Sequence, residues 1–113
     1  MSTKFSMTRD INGYNGFGLM FADDKYSTTL ASGVAQTLTI PSNASKWLAI
    51  FSYEPGGEVW VANNATAALP GGTMAAATSE MNPTARQVKA GDILSFITPD
   101  TTLYIGITLY ILE

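Results

Sequence analysis

The chain has no cysteine and no histidine. These absences exclude disulfides, thiol nucleophiles, a serine–histidine relay, a histidine proton shuttle and the usual ligand sets of zinc and haem. No catalytic, cofactor-binding or metal-binding residues are therefore expected, and the protein reads as a non-enzyme. Charge is also scarce: 13% of residues are charged, against about 25% in an average soluble domain. The six basic residues, Lys4, Arg9, Lys25, Lys46, Arg86 and Lys89, are scattered, and the net charge is −3. Without a basic patch to neutralise phosphates, nucleic acid is not an expected partner. No apolar run approaches the roughly 20 residues of a helical membrane span, so no membrane association is expected. The opening residues, Met1 to Phe5, lack the apolar core of a signal peptide, which points to synthesis in a cytoplasm.

What is present is a chain of 113 residues that is 46% hydrophobic, enough for one folded domain with its own core. Its pattern is that of strands. Val34, Gln36, Leu38 and Ile40 alternate with Ala35, Thr37 and Thr39, a period of two that ends at Pro41-Ser42-Asn43. Trp47 to Tyr53 is apolar on both faces, with Trp47, Ala49, Phe51 and Tyr53 on one and Leu48 and Ile50 on the other. Pro55-Gly56-Gly57 then separates it from Val59-Trp60-Val61-Ala62, suggesting a hairpin around residues 54–58. Residues 63–86, rich in Ala and Gly, read as a loop with at most a short strand. Ala90-Gly91-Asp92 is a tight turn before a strand from Ile93 to Thr98. From Leu103 the alternation is clean: Leu103, Ile105, Ile107, Leu109 and Ile111 face the core and Tyr104, Gly106, Thr108 and Tyr110 face away. Turn signals every 8–12 residues and no amphipathic helix predict an all-β fold, an antiparallel β-sandwich or jelly roll. The expected core is Leu38, Ile40, Leu48, Ile50, Phe51, Val59, Val61, Ile93, Phe96, Ile105, Ile107 and Leu109.

Residues 1–27 differ in character. Two Asn-Gly pairs, at 12–13 and 15–16, mark turns, yet Phe5, Ile11, Tyr14, Phe17, Leu19 and Phe21 are too many large apolar residues for a solvated tail. The segment 1–27 is expected to be an N-terminal arm or early hairpin, with the sandwich occupying 28–113. An arm of this kind packs either on its own domain or on a neighbouring subunit.

Chemistry has few footholds. The carboxylates Asp10, Asp23, Asp24, Glu54, Glu58, Glu80, Asp92 and Asp100 lie mostly in turns or beside Gly or Pro, where acids serve structure. Trp47 and Trp60 are expected to fill the core, although aromatic faces of this kind also stack on sugar rings. Tyr104 and Tyr110 share the face opposite the aliphatic stripe and suit an intersubunit or ligand surface. The interface candidates are thus Phe5, Tyr14, Phe17, Phe21, Tyr104 and Tyr110. Low charge, with apolar residues on both faces of Trp47–Tyr53, points to a homo-oligomer, with a trimer favoured.

Across the whole chain the sequence resembles small virion accessory proteins of tailed bacteriophages. The resemblance runs through Asn12-Gly13-Tyr14, Tyr26 to Val34, Leu38 to Pro41, Ala49 to Tyr53, Val59 to Ala62, Asn82 to Arg86 and Val88-Lys89-Ala90-Gly91-Asp92. Its pattern is similar to that of the β-sandwich capsid-decoration (cement) and head-fibre proteins. The Gly91-Asp92 turn also resembles one that precedes a strand in many jelly rolls, cupins included, but the metal-holding histidines of cupin enzymes are missing. The resemblance implies a location in the virion and a symmetric homo-oligomer bound to the phage major capsid protein. The alternative is a carbohydrate- or receptor-binding module of a head or tail fibre.

Overall fold

The computed structural model describes residues 2–113, which form ten strands: β1 (Met7–Arg9), β2 (Asn15–Leu19), β3 (Asp24–Ala31), β4 (Gln36–Thr39), β5 (Lys46–Tyr53), β6 (Trp60–Asn63), β7 (Ser79–Met81), β8 (Ala85–Lys89), β9 (Ile93–Ile97) and β10 (Thr102–Ile111). β1 and β2 pair only with each other. The other eight build two four-stranded sheets, in the orders β3-β10-β5-β8 and β4-β9-β6-β7. Every strand pairing is antiparallel.

The topology is that of one long hairpin rolled up. β6 and β7 form its tip, and moving outward β5 pairs with β8, β4 with β9 and β3 with β10. Rolling adds β10·β5 to one sheet and β6·β9 to the other. Two facing sheets of this strand order are a jelly roll, the antiparallel β-sandwich expected from the sequence.

β10 is the spine of its sheet, as its clean alternation predicts. Leu103, Ile105, Ile107 and Leu109 are buried, and Leu30, Trp47, Ala49, Phe51, Val88, Leu94 and Phe96 complete the core with Ile40, Val59 and Val61. Phe51 and Phe96 meet edge to face across the two sheets at 6.2 Å between ring centroids. Trp47 is wholly buried, its indole N–H donating to the Pro41 carbonyl at 3.1 Å.

Several expectations about the core need correction. On β5 the inward register belongs to Trp47, Ala49 and Phe51, so Leu48 and Ile50 lie half-buried on the outer face. On β9, Leu94 and Phe96 point inward and Ile93 is exposed. Leu38, near the open side of the sandwich, is only partly buried against the core. The turn at residues 54–58 is also not a hairpin: β5 and β6 belong to different sheets, and Pro55-Gly56-Gly57 carries the chain between them. A local turn signal marks a reversal but does not distinguish pairing in one sheet from crossing to the other.

Trp60, expected in the core, instead lies half-buried on the outer side of the second sheet. Its indole N–H donates to Glu58 Oε2 at 2.7 Å. The Ala-rich loop 64–78 folds over this sheet: Ala67 is buried, and its N–H donates to the Ser95 hydroxyl at 3.0 Å, beside buried Ala62. Small residues there let loop backbone approach sheet backbone, which explains their composition.

Candidate functional site

The most distinctive surface is the N-terminal hairpin. Its loop is built by Asp10, whose Oδ1 accepts the backbone N–H groups of Asn12 at 2.8 Å and Tyr14 at 3.0 Å. Gly13 takes a φ of 84°, a conformation that disfavours any side chain, and its carbonyl accepts Arg9 Nη1 at 3.1 Å. The register then slips. Met7 faces Leu19 but Arg9 faces Asn15, leaving extra residues bulged out of β2. Phe17 sits in this bulge at φ 56°, held by its N–H donating to Asn15 Oδ1 at 2.7 Å. A Cβ on Gly16 would stand 2.8 Å from Thr8 Oγ1 and 3.2 Å from the Thr8 carbonyl oxygen, so glycine lets the bulge close against β1 without displacing Thr8.

The bulge turns Phe17 outward, 84% exposed, and the rest of the arm is equally bare: Ile11 is 101% exposed, Tyr14 71% and Phe21 94%. None of the sandwich strands packs substantially against β1 or β2. The molecule measures 53 × 29 × 26 Å, elongated as a projecting element makes it.

The base of the arm, by contrast, is pinned. The N–H of Phe5 donates to the Ile111 carbonyl and the N–H of Ile111 to the Thr3 carbonyl, each at 2.8 Å. Asp23 donates its N–H to Thr3 Oγ1 at 3.0 Å, and Ala22 is buried. The Tyr110 hydroxyl donates to the Met20 carbonyl, while the Phe5 ring stands edge-on to Tyr110 at 6.1 Å. Tyr110 is consequently only 6% exposed. It is an anchor for the arm and not an open interface residue, a correction to the sequence reading. The arm covers it, which alternation along β10 alone does not reveal. Tyr104, six residues back along β10 and so about 20 Å away at the rise of a strand, is 68% exposed and separate from the arm. Phe5, at 38% exposure, belongs to the base. The structure therefore groups Tyr14, Phe17 and Phe21 on the arm, puts Phe5 and Tyr110 at its root, and sets Tyr104 apart. The boundary drawn between residues 27 and 28 falls inside β3, whose residues 24–27 pair with β10.

Most of the carboxylates serve structure, while Asp24 Oδ2 is buried without a hydrogen-bond partner. Asp92 accepts Lys89 N–H at 2.9 Å and the amides of Asn64 and Asn63 at 3.0 and 3.4 Å. Burial pushes its carboxyl up, but those hydrogen bonds and the Lys89 charge outweigh burial and hold it below its ordinary value. Asp100 accepts the Glu58 N–H, Glu54 the Tyr104 N–H, and Glu80 the Arg86 guanidinium at 2.7 Å. Burial raises the Tyr53 phenol, against the nearby Arg86 charge, and its hydroxyl donates to the Pro83 carbonyl at 2.6 Å. Among the described residues no three acidic side chains converge as a metal site would need. The hollow beside Trp60, about 290 Å³, is walled largely by Leu69, Pro70, Gly71 and the Ala75–Ala77 run.

Comparison with known protein families, curated proteins and solved structures finds no match to this chain.

Proposed function

We propose that the protein is a non-enzymatic structural component of a tailed-phage particle, a decoration protein that binds the major capsid protein as a homo-oligomer. The observation that carries the reading is the arm: a hairpin of bare aromatic side chains, rigidly rooted and standing clear of a jelly roll. Surfaces of this kind mark protein–protein contact. Six carboxylates that could do acid–base work, Asp10, Glu54, Glu58, Glu80, Asp92 and Asp100, are occupied in hydrogen bonds of turns and strands, which supports a role played through surfaces. A decoration protein acts by burying area across capsomer junctions, and it needs an adhesive element and a stable body. The test is quantitative mass spectrometry of particles of the phage that encodes the chain. Hundreds of copies per particle are expected; absence from particles overturns the proposal.

A second reading, a sugar- or receptor-binding module of a fibre, is favoured by the half-buried Trp60 beside its hollow. It requires a handful of copies per particle and binding in a glycan screen that Trp60→Ala abolishes.

A further inference from the structure

We infer that the partner of the arm is a second copy of this chain, and that the hairpin of one copy packs on the outer face of the β3-β10-β5-β8 sheet of the next. The inference rests on the reading of the arm as an assembly element and names what that reading leaves open.

Intramolecular cover is ruled out by the root. Both ends of the hairpin, Phe5 and Met20, are tied to the last residues of β10. The strands between them point away from the body, and their apolar side chains stay in water in a single copy. Ile11, Tyr14 and Phe17 on the arm, with Met20 and Phe21 at its foot, together expose on the order of 800 Å², taking roughly 200 Å² for each large side chain. A specific interface buries about 800 Å² per partner. The arm and its foot together carry apolar area of the size that one side of such an interface needs.

The receiving surface is read from the uncharged, in-register middle of the first sheet. The outer face of the second sheet is only partly covered by the loop 64–78, through Ala67 on Ser95, and its bare part beside Ile93 is broken by the hollow between Thr37 and Thr66. The two open sides of the sandwich are bridged by side chains: Gln36 Nε2 donates to the Thr29 carbonyl on one, and Arg86 pairs with Glu80 on the other. The outer face of the first sheet has no such cover beyond Tyr110. Its middle presents Leu48, Ile50, Ser52, Gly106 and Thr108, all uncharged, in register across β5 and β10. Gly106 leaves a low place in it, and the lysines Lys25, Lys46 and Lys89 stand only at its margins. The apolar side chains of the arm and the uncharged middle of the sheet bury no unpaired ion where they meet. One arm given and one received per copy is a head-to-tail contact, which closes into a ring where the rotation allows.

The experiment uses the absence of cysteine. Two differently tagged full-length variants, Asn12→Cys on the arm tip and Ser52→Cys on the sheet face, are mixed and treated with a short thiol–thiol cross-linker. The expected product joins one chain of each kind. Light scattering of the unmodified protein at micromolar concentration is expected to give a multiple of 12.0 kDa. Phe17→Ser with Phe21→Ser on the arm, or Ile50→Lys on the face, is expected to return it to the single-chain mass with its melting transition retained. A monomer in solution that still binds particles overturns this inference and leaves the capsid-binding role standing without the solution oligomer. An oligomer held by the arm that binds no particle does the reverse. An oligomer that survives both sets of substitutions places the contact elsewhere and also overturns the inference.

Discussion

At the scale of single residues, position within a strand decides cost. Ile107 is buried and Thr108, its neighbour, lies on the outer face. Ile107→Ala is expected to destabilise by about 2–5 kcal/mol in denaturant titration, and Thr108→Ala by less than about 1 kcal/mol, in the range of surface changes. Phe17 poses the opposite case. A bulky residue at φ 56° carries strain on the order of 1 kcal/mol, so Phe17→Gly is expected to leave the melting temperature intact while weakening self-association. Asp92 sets the acid response of the turn between β8 and β9. Its carboxyl is depressed in the folded state, so its contribution is full above the unfolded value of about 4 and fades as pH falls through the lower folded value. Asp92→Asn is expected to flatten the loss of stability below about pH 4 relative to the parent, read by thermal melts across acidic buffers. Strict alternation made the inward residues of β10 legible in the sequence. Trp47 and Leu48 were harder to assign, because a strand apolar on both faces gives no phase, and only pairing with β10 and β8 fixes which side meets the core.

At the scale of elements, the arm and the sandwich separate at a different place from the one composition suggests. Turn-rich sequence runs to residue 27, but β3 begins at Asp24 and residues 3–5 are tied to β10. Replacing residues 7–19 with a short flexible link is expected to leave a cooperative melt. A chain starting at Thr28 loses half of edge strand β3 together with the Phe5 contact to Tyr110, and is expected to melt well below the parent; circular dichroism distinguishes the two. The apolar content of the arm was readable from Phe5 to Phe21, and so were its turns. The anchoring of Tyr110 was not, since it depends on a hydroxyl reaching a carbonyl ninety residues away. The β5–β6 crossing was equally hidden, because its partner strands lie far along the chain.

At the scale of the whole molecule, the rolled hairpin makes almost every pairing non-local: residues 24–31 meet 102–109. Such a topology folds slowly, in milliseconds to seconds, and stopped-flow fluorescence of buried Trp47 is expected to show that range. The position of β10 has a consequence for synthesis. It lies between β3 and β5, so the first sheet remains split until residues beyond 102 have left the ribosome. The same strand carries the hydroxyl and the backbone groups that root the arm. A nascent or prematurely terminated chain therefore has neither a closed body nor a fixed arm. The arm is fixed only when the fold is complete, so a truncated chain lacks both the closed sheet and the anchored hairpin.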